Sequence, residues 1–244
     1  MLTGKVHRWK SLIQNLPPKH CICIHDYSEN YHCVEKNEIQ SNYFQRTECS
    51  LHVTIINRHA ILEYDGLDSA DDFPEIITVH VFVISPDLQH DHNFTKCAQQ
   101  QIKQYLDSIS YDVDVMHEFT EGCSSQYKSR HCLGDLSFAT TEYGYNVFHR
   151  NFFETSHAKG PQDAAGGFIK RQADIAILWG TVKPDETGHC VNRNPVLSNL
   201  NFKSPVFSLI FFVKNHWINR TLHIPNSGLD LRSQYTNYCY NLSP

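Results

Sequence analysis

The chain has 244 residues, 41% of them hydrophobic and 12% aromatic, so it can bury a sizeable core, and at this length we expect one domain with appendages. Its formal charge of −5 excludes a uniformly basic surface, so a nucleic-acid partner would have to meet a local basic patch. The longest strongly apolar run, 206–213, is far below the roughly 20 residues that span a bilayer, and the N-terminal residues contain no apolar signal-peptide region. We therefore expect a soluble protein with reduced cysteines and no membrane partner.

Three predicted strands open the domain. Residues 20–27, HCICIHDY, contain alternating β-branched and small residues after a Pro-Pro pair, which is typical of a buried strand. Residues 50–64 and 75–85 are rich in Val, Ile and aromatic side chains. The Gly, Asp and Ser residues between them favour a loop, so the pattern predicts antiparallel strands.

Helices and strands alternate in the remainder of the domain. A 3.6-residue apolar stripe after Asn93, the predicted N-cap, indicates an amphipathic helix. A strand at 113–119, a helix at 129–143, a strand at 145–153 and a closing helix at 163–178 follow. The predicted order βββ-α-β-α-β-α matches an α/β, ribonuclease H-like architecture, which is a mixed sheet with helices on both faces.

The domain organisation follows from these elements. We expect an N-terminal extension at 1–19 and a single α/β domain at 20–178. Residues 179–244 contain loop-forming residues, one isolated apolar run and a polar tail, and the sequence predicts no function for them.

The nine cysteines and 16 histidines raise the alternative of a zinc protein. No CxxC pair exists, however, and Cys21 and Cys23 are two residues apart in an apolar segment. Because that spacing places both side chains on one face of a strand, we interpret them as small core residues. Zinc binding therefore ranks below the functions considered next.

Three carboxylates stand on separate predicted elements. Asp26 ends the first strand, Glu121 follows the fourth strand just before Gly122, and Asp163 begins the last helix. Cleavage of phosphodiester bonds by a ribonuclease H-like fold needs carboxylates on different elements to hold two divalent ions about 3.5–4 Å apart. Taken singly, Asp26 is more often a turn former and Glu121 an ordinary surface acid at a helix start. The hypothesis rests on their combination.

The last predicted helix contains two adjacent glycines, Gly166 and Gly167. Each costs about 1 kcal/mol relative to alanine in a helix, so we expect a close backbone approach on that face. Asp163 and Lys170 are spaced to share the same side of the helix, where a phosphate could be met. The alternative is that the helix starts only after Gly167 and that a glycine-rich loop precedes it.

Basic and polar side chains surround the three acids in the sequence. Glu29 and Asn30 are candidates to support Asp26, and the loop before the last helix supplies donors near a helix N-terminus, which favours anions. The residues expected to contact DNA phosphates are Lys128, His157, Lys159, Lys170 and Arg171.

Several motifs in the same order resemble a family of eukaryotic transposon-derived proteins. Members of that family read approximately DFSENY, then SDG followed by QYKN, then TSHGKG with a D..GG..KR block. The corresponding segments here are HDYSENY at 25–31, NEIQS at 37–41, ISPDLQHD at 84–91, FTEGCSSQYKSR at 119–130 and FFETSHAKGPQDAAGGFIKR at 152–171. The similarity covers about residues 9–178.

The resemblance implies a DDE/DDD-type transposase core in which Asp26, Glu121 and Asp163 hold two Mg²⁺ or Mn²⁺ ions. It also implies DNA as the partner, a nuclear location and no small-molecule cofactor. The sequence departs from the family pattern at Glu121, where the family has Asp, and at Ala158, where glycine is usual.

Two functions follow from these observations. The first is a transposase-like polynucleotidyl transferase that acts on DNA phosphodiester bonds. The alternative is a catalytically impaired, domesticated or decayed derivative that only binds nucleic acid or protein, because the extra methylene of Glu121 moves its oxygens by about 1 Å, enough to disturb a two-metal site.

Overall fold

A computed structural model describes nine segments of the chain, namely 4–32, 48–85, 87–123, 126–153, 160–178, 182–184, 190–192, 207–213 and 216–222. The helices are α1 Gly4–Gln14, α2 Leu62–Asp65, α3 His92–Ser108, α4 Arg130–Tyr143 and α5 Pro161–Leu178. The strands are β1 His20–His32, β2 Glu48–His59, β3 Ile76–Ser85, β4 Val115–Thr120, β5 Val147–Phe152, β6 Val182–Pro184, β7 Cys190–Asn192, β8 Phe207–Val213 and β9 His216–Leu222. None of the helices in these segments is long and apolar enough to cross a membrane.

The centre of the fold is a mixed sheet with the strand order β5-β4-β1-β2-β3. β1 pairs with β2, and β2 with β3, in the antiparallel direction. β1 pairs with β4, and β4 with β5, in the parallel direction. The predicted α/β class with a mixed sheet is confirmed.

Strand alternation gives the sheet two different faces. Cys21 and Cys23 point to one face, where the apolar residues of α3 and α4 complete the larger core cluster. Ile22 and Ile24 point to the other face. There α1 packs on the cluster that contains these two residues, and α5 packs against β1 and β2. Because successive side chains alternate, Asp26 shares the face of Ile22 and Ile24 and lies on the side of α5. The two cysteines are buried free thiols, as predicted.

β1 is longer than predicted. It continues to His32, past the expected end at residue 27, because its antiparallel pairing with β2 persists after β4 has ended. The register shifts between Ser28 and Tyr31, which marks a local irregularity in the longer part of the strand. Asp26 therefore lies inside β1, at the point where the parallel neighbour stops, and not at the end of the strand.

β2 is shorter than predicted and is followed by the single turn α2. The side chain of Asp65 accepts the backbone N–H of Ile61 at 2.8 Å and pairs with the buried Arg58, so the chain turns there instead of extending to residue 64. Gly66, in the left-handed conformation with φ 68°, ends this turn.

Two helix starts also differ from the predictions. Asp91, and not Asn93, caps α3, and its side chain accepts the N–H of Phe94 at 3.1 Å. α5 begins at Pro161, a residue that is favoured in the first turn because it has no N–H to satisfy. Gly166 and Gly167 lie inside α5, so the alternative of a glycine-rich loop is wrong.

Elements on both sides of residues 20–178 join the same fold. α1 packs Trp9, Leu12 and Ile13 against the cluster of β1 and β4. β8, which comprises residues 207–213 of the apolar run, pairs with β3, and β9 pairs with β8, so the sheet reaches seven strands. The sequence patterns did not indicate these pairings.

Candidate active site

Asp26 and Glu121 are placed side by side by parallel strand pairing. The last paired residues of β1 and β4 are His25 and Thr120. The next residue on each strand is an acid, and because the two strands run in the same direction, both acids emerge at the same edge of the sheet. Asp26 is only 6% exposed, whereas Glu121 is half-buried.

The first turn of α5 lies over Asp26. The buried side chain of Gln162 donates a hydrogen bond to the Asp26 carboxylate. Further along the helix, a β-carbon added to Gly166 would be 2.9 Å from Ser28 Oγ and 3.6 Å from Val53 Cγ2. These contacts bring Asp163, which neighbours Gln162 in sequence, to the same part of the sheet.

Asp163 also has a structural role at the start of α5. Its Oδ2 accepts the backbone N–H of Gly160 at 2.9 Å, which is the contact of an acidic residue that caps its own helix. The Asp163 side chain remains exposed. It can therefore leave this cap to meet a ligand at the cost of one exposed hydrogen bond.

The three carboxylates interact electrostatically. Burial, together with the negative charges of Glu121 and Asp163, raises the pKa of Asp26 to about 7, although the hydrogen bonds from the Tyr27 N–H and Gln162 act to lower it. A buried carboxyl flanked by two more acids is costly to ionise, and a bound cation would remove that cost.

The donor chemistry of this cluster fits hard divalent ions. Mg²⁺ and Mn²⁺ prefer carboxylate oxygens, and Asp26, Glu121 and Asp163 supply them from three separate elements. Across the described segments, no three His, Cys, Asp or Glu side chains are already gathered closely enough to form a metal site. Binding of a metal would therefore require the exposed side chain of Asp163 or the half-buried side chain of Glu121 to rotate towards Asp26.

Of the predicted DNA contacts, Lys128 lies at the same edge of the sheet as the acids. Its Nζ is 4.6 Å from the centre of the Phe152 ring at the end of β5, and its side chain is exposed. The preceding Tyr127 is fully buried, and its hydroxyl is 3.3 Å from His52 Nε2. The buried Tyr127 anchors the short segment that presents Lys128.

The other predicted basic contacts are distributed differently. Arg171 is exposed on α5. Lys170 is half-buried, and burial lowers its pKa while Glu29 and Cys49 oppose that shift. Glu29 therefore interacts with Lys170. His157 and Lys159 lie outside the described residues.

The remaining predicted support residues take separate positions. Asn30 Oδ1 is hydrogen-bonded to His90 Nε2 at 3.0 Å. Gly122 is half-buried in the loop that follows Glu121. Gly166 shows the close approach expected of a helical glycine, whereas a β-carbon on Gly167 would meet nothing within 4 Å.

A family model for a domain of unknown function (DUF8701) matches residues 7–192. The chain belongs to the DUF8701 family. No curated protein and no solved structure is significantly similar to it. The region matched by DUF8701 contains all three acids, α1 from residue 7 onwards and the five strands of the central sheet.

Sequence reasoning missed two polar features of this DUF8701 chain. One is Gln162, which contacts Asp26 directly. The other is Glu118, a fully buried acid that interacts with Arg150 and His25 on the opposite face of the sheet. A charged residue at a core-facing position of a predicted strand was the available signal for Glu118, because such a residue is rarely buried without a partner.

Proposed function

We propose that the chain is the catalytic core of a transposase-like polynucleotidyl transferase, which acts on DNA phosphodiester bonds with two Mg²⁺ or Mn²⁺ ions. The observation that carries the proposal is the juxtaposition of Asp26 and Glu121 at the ends of their parallel pairing, with the first turn of α5 against Asp26. Carboxylates from different elements that meet at one sheet edge are what two-metal phosphodiester chemistry requires.

The sheet supports a ribonuclease H-like arrangement. Three antiparallel strands come first, and two strands parallel to the first one follow on its other side. In a ribonuclease H-like fold the acids lie on the first strand, just past the fourth strand and on a late helix. Asp26, Glu121 and Asp163 occupy those three places.

Each residue has a defined part in the proposed site. Two bound ions would activate the attacking hydroxyl and stabilise the leaving oxygen. Asp26 is the buried acid, and Gln162 and the Tyr27 N–H hold its carboxylate in place. Half-buried Glu121 approaches from the loop and exposed Asp163 from the helix, which leaves access for the substrate. Exposed Lys128 and Arg171 are suited to contact the DNA backbone.

DNA as partner, a nuclear location and the absence of a small-molecule cofactor belong to the same proposal. They rest on the resemblance of the motifs around the three acids to eukaryotic transposon-derived proteins. The single acid that departs from that pattern is Glu121.

The proposal is tested by incubating purified protein with nicked or branched DNA and Mn²⁺. We expect cleavage that falls about 100-fold or more in Asp26→Asn and Asp163→Asn, because both remove an oxygen ligand from a geometry-sensitive site. Asp112→Asn is the matched control, since Asp112 is an exposed acid that pairs with Lys19 at the other end of β1. No cleavage by the wild type, together with no gain in Glu121→Asp, contradicts an active enzyme.

A second candidate function is a DNA-binding module without turnover. It is favoured by Glu121 and by the capping contact between Asp163 and Gly160, which explains Asp163 without a metal. This function predicts salt-dependent DNA binding that Asp26→Ala leaves unchanged. Loss of Mn²⁺ binding in the same variant would instead support the metal site.

A further inference from the structure

A fully buried acid, Glu118, lies behind the candidate site on the other face of β4. Its carboxylate accepts hydrogen bonds from His25 Nε2 at 2.8 Å, Gln99 Nε2 at 2.7 Å and Arg150 Nε at 2.6 Å. Glu118 is 2% exposed, and the Arg150 side chain is 5% exposed. Burial raises the pKa of Glu118, but the charge of Arg150 and the bond to His25 outweigh burial and hold it well below its usual range.

These contacts join every strand that carries the site. Glu118 is paired with Cys23 of β1 on one side and with Arg150 of β5 on the other. His25, which immediately precedes Asp26, is itself held at Nδ1 by Thr54 Oγ1 of β2 at 2.8 Å. One carboxylate therefore links β1, β4 and β5, and Gln99 adds α3.

The alignment of β1 with β4 decides whether the acids meet. A slip of one residue in a strand moves each of its side chains to the opposite face of the sheet. Such a slip of β4 would turn Glu121 away from Asp26. It would also move the Glu118 carboxylate to the face of Ile22 and Ile24, where neither Arg150 nor His25 could contact it. A buried charge without such partners is strongly unfavourable.

Stability alone is a weak explanation for this arrangement. Two ions lose hydration when they are buried. Replacing a buried ion pair with well-packed apolar residues of similar volume often leaves the stability of a protein unchanged or raises it. The best-attested use of buried charged or polar groups is to specify register. Because Glu118 lies only three residues before Glu121 on the same chain segment, the register that it specifies is the register of the strand end that carries the site.

We propose that Glu118, together with Arg150 and His25, is a positioning unit for the acidic site. It fixes the register of β1, β4 and β5 so that Asp26 and Glu121 emerge side by side. This inference rests on the proposed metal site, and it assigns these three residues no contact with the substrate or the metal.

The test compares Glu118→Gln with Asp65→Asn. Asp65 and Arg58 form a second buried ion pair, with distances of 2.7 and 3.1 Å, near the amino end of β1 and therefore away from the acids. Both variants leave a buried arginine without its carboxylate, so both lower stability. We expect Mn²⁺ affinity to fall about 10- to 100-fold in Glu118→Gln, as for other residues that orient metal ligands, and to stay at the wild-type value in Asp65→Asn.

Hydrogen exchange of the full chain supplies a readout that needs no metal. In Glu118→Gln, the amides at 25–27 and 119–121 should exchange faster than in Asp65→Asn, whose changes should be confined to the region of Arg58. If Glu118→Gln does not fold, Arg150→Lys takes its place, because lysine keeps the charge but cannot donate the paired guanidinium bonds.

The outcomes separate the two proposals. Equal Mn²⁺ affinities in the two variants, or equal exchange at the ends of β1 and β4, overturn the positioning role. Failure of the wild type to bind Mn²⁺ overturns the proposed function, and local exchange then decides on the positioning unit by itself. Lower Mn²⁺ affinity and faster amide exchange in Glu118→Gln, with neither change in Asp65→Asn, support both the proposed function and the positioning role.

Discussion

Gly166 on α5 lies directly against Ser28 on β1, so close that a β-carbon on the glycine would be 2.9 Å from the serine Oγ and 3.2 Å from its Cβ. Ser28 is two residues past Asp26, and this contact sets the height of the helix above the sheet. A larger residue at 166 would move the first turn of α5, with Gln162 and Asp163, away from the buried acid.

The neighbouring glycines provide a matched pair of variants. Gly167→Ala should stabilise the protein by about 0.5–1 kcal/mol, because its β-carbon meets nothing and alanine is the better helix former. Gly166→Ala should destabilise it by about 1–3 kcal/mol, since overpacking outweighs the same helical gain. Thermal denaturation of the two variants measures the difference, and equal melting temperatures would show that α5 does not depend on the contact with Ser28.

The raised pKa of Asp26 predicts a pH-dependent stability. The carboxyl has a pKa of about 7 in the folded protein against 3.8 ordinarily, so its contribution is fully present below pH 3.8 and is lost as the pH rises to about 7. The shift corresponds to a loss on the order of 4 kcal/mol. Asp26→Asn should therefore be more stable than the wild type at pH 8 without metal, as measured by urea denaturation.

The control is to repeat the urea denaturation of Asp26→Asn and of the wild type at several pH values and to compare their free energies of unfolding. The advantage of Asp26→Asn should be constant above about pH 7 and should shrink as the pH falls from about 7 towards 4, because the folded wild-type carboxyl becomes protonated before the unfolded one does. An advantage that is constant with pH would mean that Asp26 ionises normally and that the cause is steric.

Divalent ions should stabilise the protein through the same carboxylates. At a Mn²⁺ concentration of 100 times its dissociation constant, the gain in free energy of unfolding is about 2.7 kcal/mol. We expect a larger gain at pH 8 than at pH 6, because at pH 6 the ion must displace a proton from Asp26. Calorimetric melting with Mn²⁺ measures this gain, and Asp26→Asn and Asp163→Asn should abolish it. A gain that persists in both variants would place the ion elsewhere.

The Arg58–Asp65 pair predicts a stability effect that is independent of the site. Both side chains are fully buried, with 0% and 1% exposure, and Arg58 also donates to Tyr105 Oη at 3.2 Å. Asp65→Asn should cost about 3–5 kcal/mol, because it leaves the arginine charge buried without a counter-ion. Chemical denaturation measures this cost, and a loss below about 1 kcal/mol would show that water reaches Arg58.

Local patterns predicted much of the fold. The apolar stripe after Asn93 predicted α3, and Phe94, Ala98 and Ile102 are indeed buried along one side of it. The exact start was wrong because Asn93 and Asp91 are both good caps, and only the structure shows which side chain reaches a free N–H. Boundaries of this kind depend on a single hydrogen bond.

Non-local contacts were beyond the reach of such patterns. Arg150 and Gln99 lie 32 and 19 residues from Glu118 in the chain, and nothing in their local sequence links them. The same holds for β8, because its isolated apolar run contains no signal for the pairing with β3. Pairing across long separations is decided by how whole elements pack.

By itself, the sequence determined the α/β class, the order of the elements from β1 to α5 apart from the single turn α2, and the three candidate acids, because period, turn residues and motif spacing are local properties of the chain. Only the tertiary structure decided that Asp26 and Glu121 follow the last parallel pair of β1 and β4, that Gln162 reaches Asp26 and that Glu118 is buried behind them. The physical reason is register, since the face and the neighbour of each strand residue depend on an alignment with segments distant in sequence.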